Sequence, residues 1–474
     1  MSYEVDTYSP TAILFLQLYR GYAVKRQLGY TVVAQNNTGE GFSVLTVEEN
    51  DMLTQTGPGT PMGDLFRRHW IPALLAEEIP GADCTPVRVQ LLSENLIAFR
   101  DSNGNPGLLD AYCPHRGAPL FFGRNEECGL RCVYHGWKFD VSGNCVDLPN
   151  SPEGETYKDK VNIKAYPSFD KGGIIWTYMG PADKEPPKPT FEWLEVGENQ
   201  RYLRKYWLRC NYFQAVEGDY DPSHADFLHS TLDNNEGNPG RRFGAGVFNS
   251  FLNRTFADYI DTDYGIMNVA VSTTSDGQQQ ANIGHFYMPS YSSAGIAGPD
   301  VFSSNMRIPI DDESCYMYRL RWSYNPFTDQ QIAEDKYGGY TYPEQIPGTF
   351  LAVENKDNEY LIDRVAQKNY SFTGIKAFPV QDLALVEDQW GPRAKRNLER
   401  LVSSDESIIK VRRRLLDAAR ALMEGQEPSG PSNPDSYRVH TARVTVAGDM
   451  SAQDAIEAAK ARMVGPSTWE ATKA

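Results

Sequence analysis

The chain has 474 residues, 41% of them hydrophobic and 12% aromatic, and a formal net charge of −16. That length predicts two or three domains and enough apolar mass for a sizeable core. The charge argues against nucleic acid or an anionic membrane surface as partner, and no run approaches the roughly 18 apolar residues of a membrane span.

Residues 1–46 read as an N-terminal extension, with a short amphipathic helix near Ala12–Gln27 and then a polar Asn/Gly stretch. Its apolar run, Ala12–Leu18, lacks the basic flank and the cleavage site of a signal peptide. From Val87 the pattern turns to β. Val87–Leu91 alternates, Leu96–Phe99 is a second apolar run, and Asp101-Ser-Asn-Gly-Asn105 is the turn that follows. Next come Cys113-Pro-His115 and, sixteen residues further on, Cys132-Val-Tyr-His135. Two thiolates and two imidazoles paired in this way can hold a [2Fe–2S] cluster, with Cys on one iron and His on the other, which raises the reduction potential. Zinc takes the same four ligand types in a tetrahedron, but Cys-x-His followed by Cys-x-x-His is an unusual spacing for it. A hairpin at Phe139–Val146 and a strand at Ile174–Tyr178 follow, and the Pro-rich stretch Pro181–Pro189 reads as a linker. The other five cysteines (Cys84, Cys128, Cys145, Cys210 and Cys315) show no disulfide framework, so a reducing cytoplasm is expected.

Beyond the linker, Ile283–Met288 and Tyr316–Tyr324 suggest an antiparallel sheet. Before them lies Asp221-Pro-Ser-His224-Ala-Asp-Phe-Leu-His229. Two His plus a carboxylate make the facial triad of non-haem Fe(II) oxygenases, which leaves open positions on the metal. Five residues turn a helix by about 140° past one full turn, so His224 is expected at a helix start. Asp221 as N-cap and Pro222 as first helical residue fit that placement. On the residues alone, a capped helix with two core histidines is an equal reading. Later, Ser403-Ser-Asp-Glu406 predicts a capping box, Ile408, Val411, Leu415, Ala418 and Leu422 recur at helical spacing, and Gly425 ends the helix. The remainder, including Arg438–Val446, reads as a surface tail.

The string from Cys113 to Trp137, with His115-Arg116-Gly117 and His135-Gly136-Trp137, resembles the Rieske motif closely. Ala118 and Tyr134 stand where the respiratory type carries a further disulfide pair, so the chain is similar to the oxygenase or ferredoxin type. With Gly57-Pro-Gly-Thr-Pro-Met-Gly63, Glu217-Gly-x-x-Asp-x-x-His, Phe372-Thr-Gly-Ile375 and Gln381-Asp382, it resembles the α subunit of Rieske non-haem iron aromatic-ring oxygenases from about Val47 to Glu424. The phthalate dioxygenase-like branch, which includes O-demethylases of lignin-derived aromatics, is the nearest match.

The resemblance implies an α+β fold: a β-rich Rieske domain over 47–180 and a helix-grip, START-like catalytic domain over 181–474. It implies a [2Fe–2S] cluster on Cys113, His115, Cys132 and His135, and a mononuclear Fe(II) on His224, His229 and Asp382. An acid at a helix N-terminus is the plainer reading of Asp382, and Glu387 is the reserve ligand. It implies that Asp221 bridges His135 of one subunit to His224 of the next, in a homotrimer or stacked trimers. Gly218, where many relatives have Asn, departs from the pattern. With no Gly-rich nucleotide motif in the chain, NAD(P)H electrons are expected from a separate reductase with flavin and a ferredoxin-type centre. The expected reaction uses O2 to hydroxylate or O-demethylate an aromatic, carboxylated compound. Cis-dihydroxylation is the alternative, and an electron carrier without oxygenase activity is the rival class. Phe213, His285, Tyr287 and Trp322 are candidates to line the substrate pocket, and Arg241 and Arg242 to pair with a carboxylate; core packing and a solvated loop are the plainer readings.

Overall fold

The computed structural model describes residues 44–152, 157–232, 254–274, 276–293, 296–298, 300–446 and 451–463. The expected helix near Ala12–Gln27 and the candidates Arg241 and Arg242 lie outside these residues.

The described chain opens on two capped helices. Thr46 and Glu49 form a capping box for α1 (Val47–Thr54), and Thr60 caps α2 (Pro61–Phe66). Ten short strands follow: β1 (Trp70–Leu75), β2 (Val87–Leu91), β3 (Glu94–Arg100), β4 (Pro106–Asp110), β5 (Arg124–Glu126), β6 (Gly129–Arg131), β7 (Lys138–Phe139), β8 (Cys145–Asp147), β9 (Ser168–Lys171) and β10 (Ile174–Tyr178). They pair antiparallel in three small sheets, β1-β10-β9, β2-β3-β4 and β5-β6-β7-β8. The turn expected after β3 is tied by Asp101 Oδ1, which accepts from the backbone N–H groups of Asn103 and Asn105.

This half does not have one core. Ile97, Phe99, Leu109, Leu120, Leu130 and Phe139 pack around Cys113 and Cys132. The β1–β10 side and the two opening helices instead join the larger core of the second half.

The second half is built on one large antiparallel sheet. Its strands are β11 (Arg201–Leu208), β12 (Arg254–Asp261), β13 (Gly265–Thr273), β14 (Gln279–Tyr287), β15 (Tyr291–Ser293), β16 (Ile296–Gly298), β17 (Val301–Pro309), β18 (Cys315–Ser323) and β19 (Ala442–Val446). The order is β11-β18-β17-β15-β14-β13-β12, with β16 on β17 and β19 on β14. The helices are α3 (Tyr212–Asp219), α4 (Ala225–Leu228), α5 (Asp329–Tyr337), α6 (Arg364–Asn369), α7 (Phe378–Val386), α8 (Glu406–Met423), α9 (Ser429–Ser432) and α10 (Ala452–Lys460).

The long helix falls where its periodicity predicts, but its start differs. A 3₁₀ turn over Ser403–Asp405 leads in, and α8 proper begins at Glu406, with Asp405 at its N-cap position. Its end is a Schellman motif: Gly425 takes φ +85°, Gly425 N donates to Leu422 O and Gln426 N to Ala421 O.

The C-terminal region corrects one expectation. Ala442–Val446 is not a surface tail but a strand, paired with Gln279–Ile283 of β14. Ala442 and Val444 alternate onto the sheet and pack with Ala455, Ile456 and Ala459 of α10 over Val269, Val271 and Ile283. Five residues of alternation is a short signal, and its burial depends on a sheet formed some 160 residues earlier.

Side-chain alternation gives the large sheet two distinct faces. Phe286, Ser292, Asn305 and Arg307 point to α3, where Phe286 meets Tyr220 and the other three meet Asp219. The opposite face carries His285, Tyr287, Phe302 and Trp322, which meet Phe191 and His440.

Candidate active site and metal centres

The first constellation sits at the tips of two matching loops. Cys113 N donates to Ala118 O and Gly117 N to Cys113 O, while Cys132 N donates to Trp137 O and Gly136 N to Cys132 O, all at 2.8–2.9 Å. Gly117 and Gly136 close these turns at φ +70° and +81°, a left-handed conformation that favours glycine. Both thiols are buried, and the His115 and His135 rings lie 4.5 Å apart. Trp137 stacks on His115 at 4.4 Å.

The donor set fits a cluster. His115 Nδ1 is buried with no hydrogen-bond partner among the described residues, which leaves its lone pair for a metal. Burial, helped by the neighbouring Cys132 thiol, pushes the Cys113 thiol up to about 11. A bound cation would offset that burial and favour the Cys113 thiolate.

The second constellation brings together residues more than 150 positions apart in sequence. His224 and His229 flank the one-turn helix α4, and Asp382 comes from α7. His229 Nε2 and His224 Nε2 lie 3.2 and 3.5 Å from Asp382 Oδ1, and 3.2 Å from each other. All three ligand atoms fall within 4.8 Å. Glu387 is not among them: its carboxylate accepts from Arg209 N at 2.7 Å and Tyr360 OH at 2.6 Å.

Each imidazole has its far nitrogen bound by protein. His224 Nδ1 donates to the backbone carbonyl of Asp221, and His229 Nδ1 donates to Gln381 Oε1 at 2.8 Å. Gln381 Nε2 donates to Ile375 O at 2.8 Å, which fixes the amide's orientation. Both Nε2 atoms would thereby be free to serve a bound metal as lone-pair donors beside Asp382. Phe378 stacks on His229 at 3.6 Å. The His229, His224 and Asp382 side chains are 1%, 25% and 32% exposed, so the group is packed on one side and open on the other.

The electrostatics call for a cation. Burial opposes the ionised form of Asp382, but its hydrogen bonds to His224 and His229 prevail and hold the carboxyl well below the usual range. Burial likewise opposes charge on His224, yet Asp382 pushes it up to about 9.

Asp221 closes the turn that precedes the helix and is not its N-cap, a position that falls on His224. Its Oδ1 accepts from Ser223 N, Ser223 Oγ and His224 N at 3.0, 2.7 and 3.2 Å. Helical assignment begins only at Ala225, because Pro222–His224 form a turn. Within one chain the ring of His224 is therefore held by the Asp221 carbonyl, not by its carboxylate.

The structure gives the substrate-pocket candidates other places. His285, Tyr287 and Trp322 lie on the sheet face opposite α3. Tyr264 OH and the His440 carbonyl occupy both nitrogens of His285, and Tyr287 OH donates to Val439 O. Phe213 is fully buried, with its ring under the Arg396 guanidinium at 5.0 Å. Aromatic richness marks both faces of a sheet equally, so it could not tell one from the other. Gln381 and Phe378 were legible only as neighbours of Asp382; no local signal gave them their roles.

Two expectations follow. Gln381→Ala removes the acceptor that aims His229, so Fe(II) affinity should fall about 10- to 100-fold, read by titrating iron into metal-depleted protein; unchanged affinity would refute this role. His285 gives a pH dependence. Burial pushes it down to about 4, below the unfolded value of about 6.5. The folded chain then binds fewer protons, so stability is full above pH 6.5 and declines as pH falls toward 4, by about 3 kcal/mol in all. Urea midpoints at pH 7.5 and 5 should differ more for the parent than for His285→Gln.

Comparison with known proteins identifies the domains that carry these residues. Residues 69–167 match the Rieske [2Fe-2S] domain, and residues 177–449 match the domain described as LigXa C-terminal domain like. The chain is 35% identical to the phthalate 4,5-dioxygenase oxygenase subunit of Pseudomonas putida, over 82% of this chain and 89% of that one. It is 32% identical to the 5,5'-dehydrodivanillate O-demethylase oxygenase subunit of a Sphingobium species, over 81% of this chain and 83% of that one. The crystal structure of dicamba monooxygenase bound to dicamba shares the fold, with a TM-score of 0.54 and 19% identity over 76% of this chain and 99% of that one. Among the described residues no helix is long and apolar enough to cross a membrane. Two matched domains that together cover most of the chain, and relatives matched over more than four-fifths of both chains, place it among the Rieske non-haem iron oxygenases: it belongs to that family as a terminal oxygenase subunit, the component that carries a Rieske [2Fe–2S] cluster and a mononuclear iron.

Proposed function

We propose that this subunit uses O2 and electrons from a separate NAD(P)H-dependent reductase to hydroxylate or O-demethylate an aromatic acid. The observation that carries the proposal is the convergence of His224 Nε2, His229 Nε2 and Asp382 Oδ1, with both rings aimed by bonds to their far nitrogens. Those three residues hold the iron, and Cys113, His115, Cys132 and His135 hold the cluster. When bound, an Fe(II) with three protein ligands on one face supplies open positions for O2 chemistry, and the cluster supplies a stored electron.

Asp221 is the residue we assign to electron passage between subunits. Its Oδ1 takes all three turn-closing bonds, which leaves Oδ2 to accept from a histidine of a neighbouring copy. His135 is our candidate for that histidine. The cluster tip supports docking against another chain: Tyr112, Val133 and Tyr134 are exposed there, with the Arg116 guanidinium 5.6 Å from the Tyr134 ring. A ring of three such contacts is the assembly we propose.

The substrate class rests on relatives. Oxygenase subunits named for phthalate, 3-chlorobenzoate and phenoxybenzoate are 35%, 34% and 26% identical to this chain, which favours an aromatic carboxylate. The 5,5'-dehydrodivanillate O-demethylase relative keeps O-demethylation beside ring hydroxylation. Among the described residues no cysteine is paired in a disulfide, which suits a cytoplasmic enzyme.

Iron and acid-labile sulfide per chain test the reading. We expect about three iron and two sulfide, a count that follows from one cluster plus one mononuclear iron. His224→Ala should drop to the iron of the cluster alone with its visible spectrum intact. A parent protein that stays at the cluster iron after anaerobic Fe(II) loading would sink the proposal. Asp221→Asn should keep both metals but slow single-turnover oxidation of the cluster about 10- to 100-fold; a normal rate would remove Asp221 from the electron path.

A further inference from the structure

α3 ends in two carboxylates, Glu217 and Asp219, that are gripped from different layers of the molecule. Glu217 accepts from Arg396 Nε at 3.0 and 3.1 Å, from Arg396 Nη2 at 2.6 Å and from Arg412 Nε at 2.6 Å. Glu399 holds the other side of Arg412 at 2.6 and 2.9 Å, so two carboxylates neutralise two guanidiniums. Arg396 Nη1 also donates to Asn50 Oδ1 at 3.0 Å. Asp219 turns the other way, to Arg307, Ser292 and Asn305 on the sheet. The residue that follows is fixed at both ends: Tyr220 OH donates to the His285 carbonyl at 2.8 Å, and the Tyr220 carbonyl accepts from Ser407 Oγ of α8.

Buried charges of this kind add little net stability compared with well-packed apolar residues. What they add is direction, because charge-assisted bonds fix angle as well as distance. The segment they fix leads straight into Asp221, whose carbonyl aims the His224 ring. α4 cannot supply that order itself. It has four residues, and His224 O is joined to it only by Phe227 N and Leu228 N; a single turn is not stable alone.

We infer that Glu217 and Asp219 are positioning residues for the iron ligand His224, acting through Tyr220 and the Asp221 carbonyl. Arg396 and Arg412 on one side and Arg307 on the other set the rotation of the 217–221 segment. That rotation sets where His224 Nε2 points. The inference rests on the reading of His224, His229 and Asp382 as the iron site.

The test uses Glu217→Gln, Asp219→Asn and the milder Ser407→Ala, each in full-length protein with its cluster in place. The mononuclear site is emptied and titrated with Fe(II), and the ferrous site is then probed with nitric oxide by electron paramagnetic resonance. Iron affinity should fall by about tenfold or more in the two carboxylate variants, in the range of other outer-shell changes, and the nitrosyl signal should broaden. Sulfide content and the cluster spectrum should not change. A loss of melting temperature with parental iron affinity and nitrosyl signal would show a merely structural role and overturn the inference. If the carboxylate variants do not fold, Ser407→Ala decides: parental affinity and signal there overturn it, and a weaker, broadened site supports it. A parent protein that takes up no iron beyond its cluster would overturn this inference and the iron-site reading together, whereas normal uptake in the parent and in every variant would overturn this inference alone.

Discussion

Two imidazoles can meet one metal ion only if each commits its other nitrogen to the protein. A free ring has two tautomers and rotates about two bonds, and nothing in the metal chooses among those states beforehand. The second half of this chain is arranged around that requirement. Gln381 arrives on α7 one residue before Asp382, so the same helix that brings the carboxylate also brings the acceptor for His229. The Asp221 carbonyl performs the same service for His224. Past the helix, residues 230–232 run beside 370–372: Leu232 N donates to Tyr370 O at 2.9 Å and Phe372 N to Ser230 O at 3.2 Å. The metal group is thus held by its surroundings on both sides of a helix too short to hold itself.

The cluster end answers the same requirement with backbone rather than side chains. Both loops fold back on their own cysteine, with the glycine N–H closing onto the Cys carbonyl. A side chain at Gly136 would strain its φ of +81° and place a Cβ 2.6 Å from Pro149. Gly117 has room for a Cβ, so there the left-handed φ alone favours glycine. The cysteines face inward onto Leu120, Leu130 and Phe139, while Tyr112, Val133 and Tyr134 are exposed near the tip. A buried sulfur end and a half-buried histidine end follow from two similar turns laid side by side.

Much of this was legible in the residues. The cluster ligands fall within 23 residues and the His pair within six, distances over which spacing limits geometry directly. The strands around the cluster and the stripe of α8 follow from alternation and from helical period. The departures are just as physical. His285, Tyr287 and Trp322 are pocket candidates by sequence because aromatics gather near pockets, yet a strand reverses its face at every residue. Their neighbours Phe286 and Ser292 are the ones that face α3. β19 is not legible in the sequence because five alternating residues make a strand only when an edge is waiting for them.

The sequence by itself determined the chemistry: which side chains can ligate iron, which glycines can turn a loop, and which charges the chain carries. Only the tertiary structure decided the selection among them. Asp382 and Glu387 lie five residues apart and differ little as acids, yet one reaches the histidines and the other accepts from Arg209 and Tyr360. Glu217 meets Arg396 across 179 residues, and His229 meets Gln381 across 152. Spacing along a chain constrains atoms over a turn or a loop. Over longer separations the constraint passes to packing, which sets the distance and dielectric between two charges and so decides which pairs form.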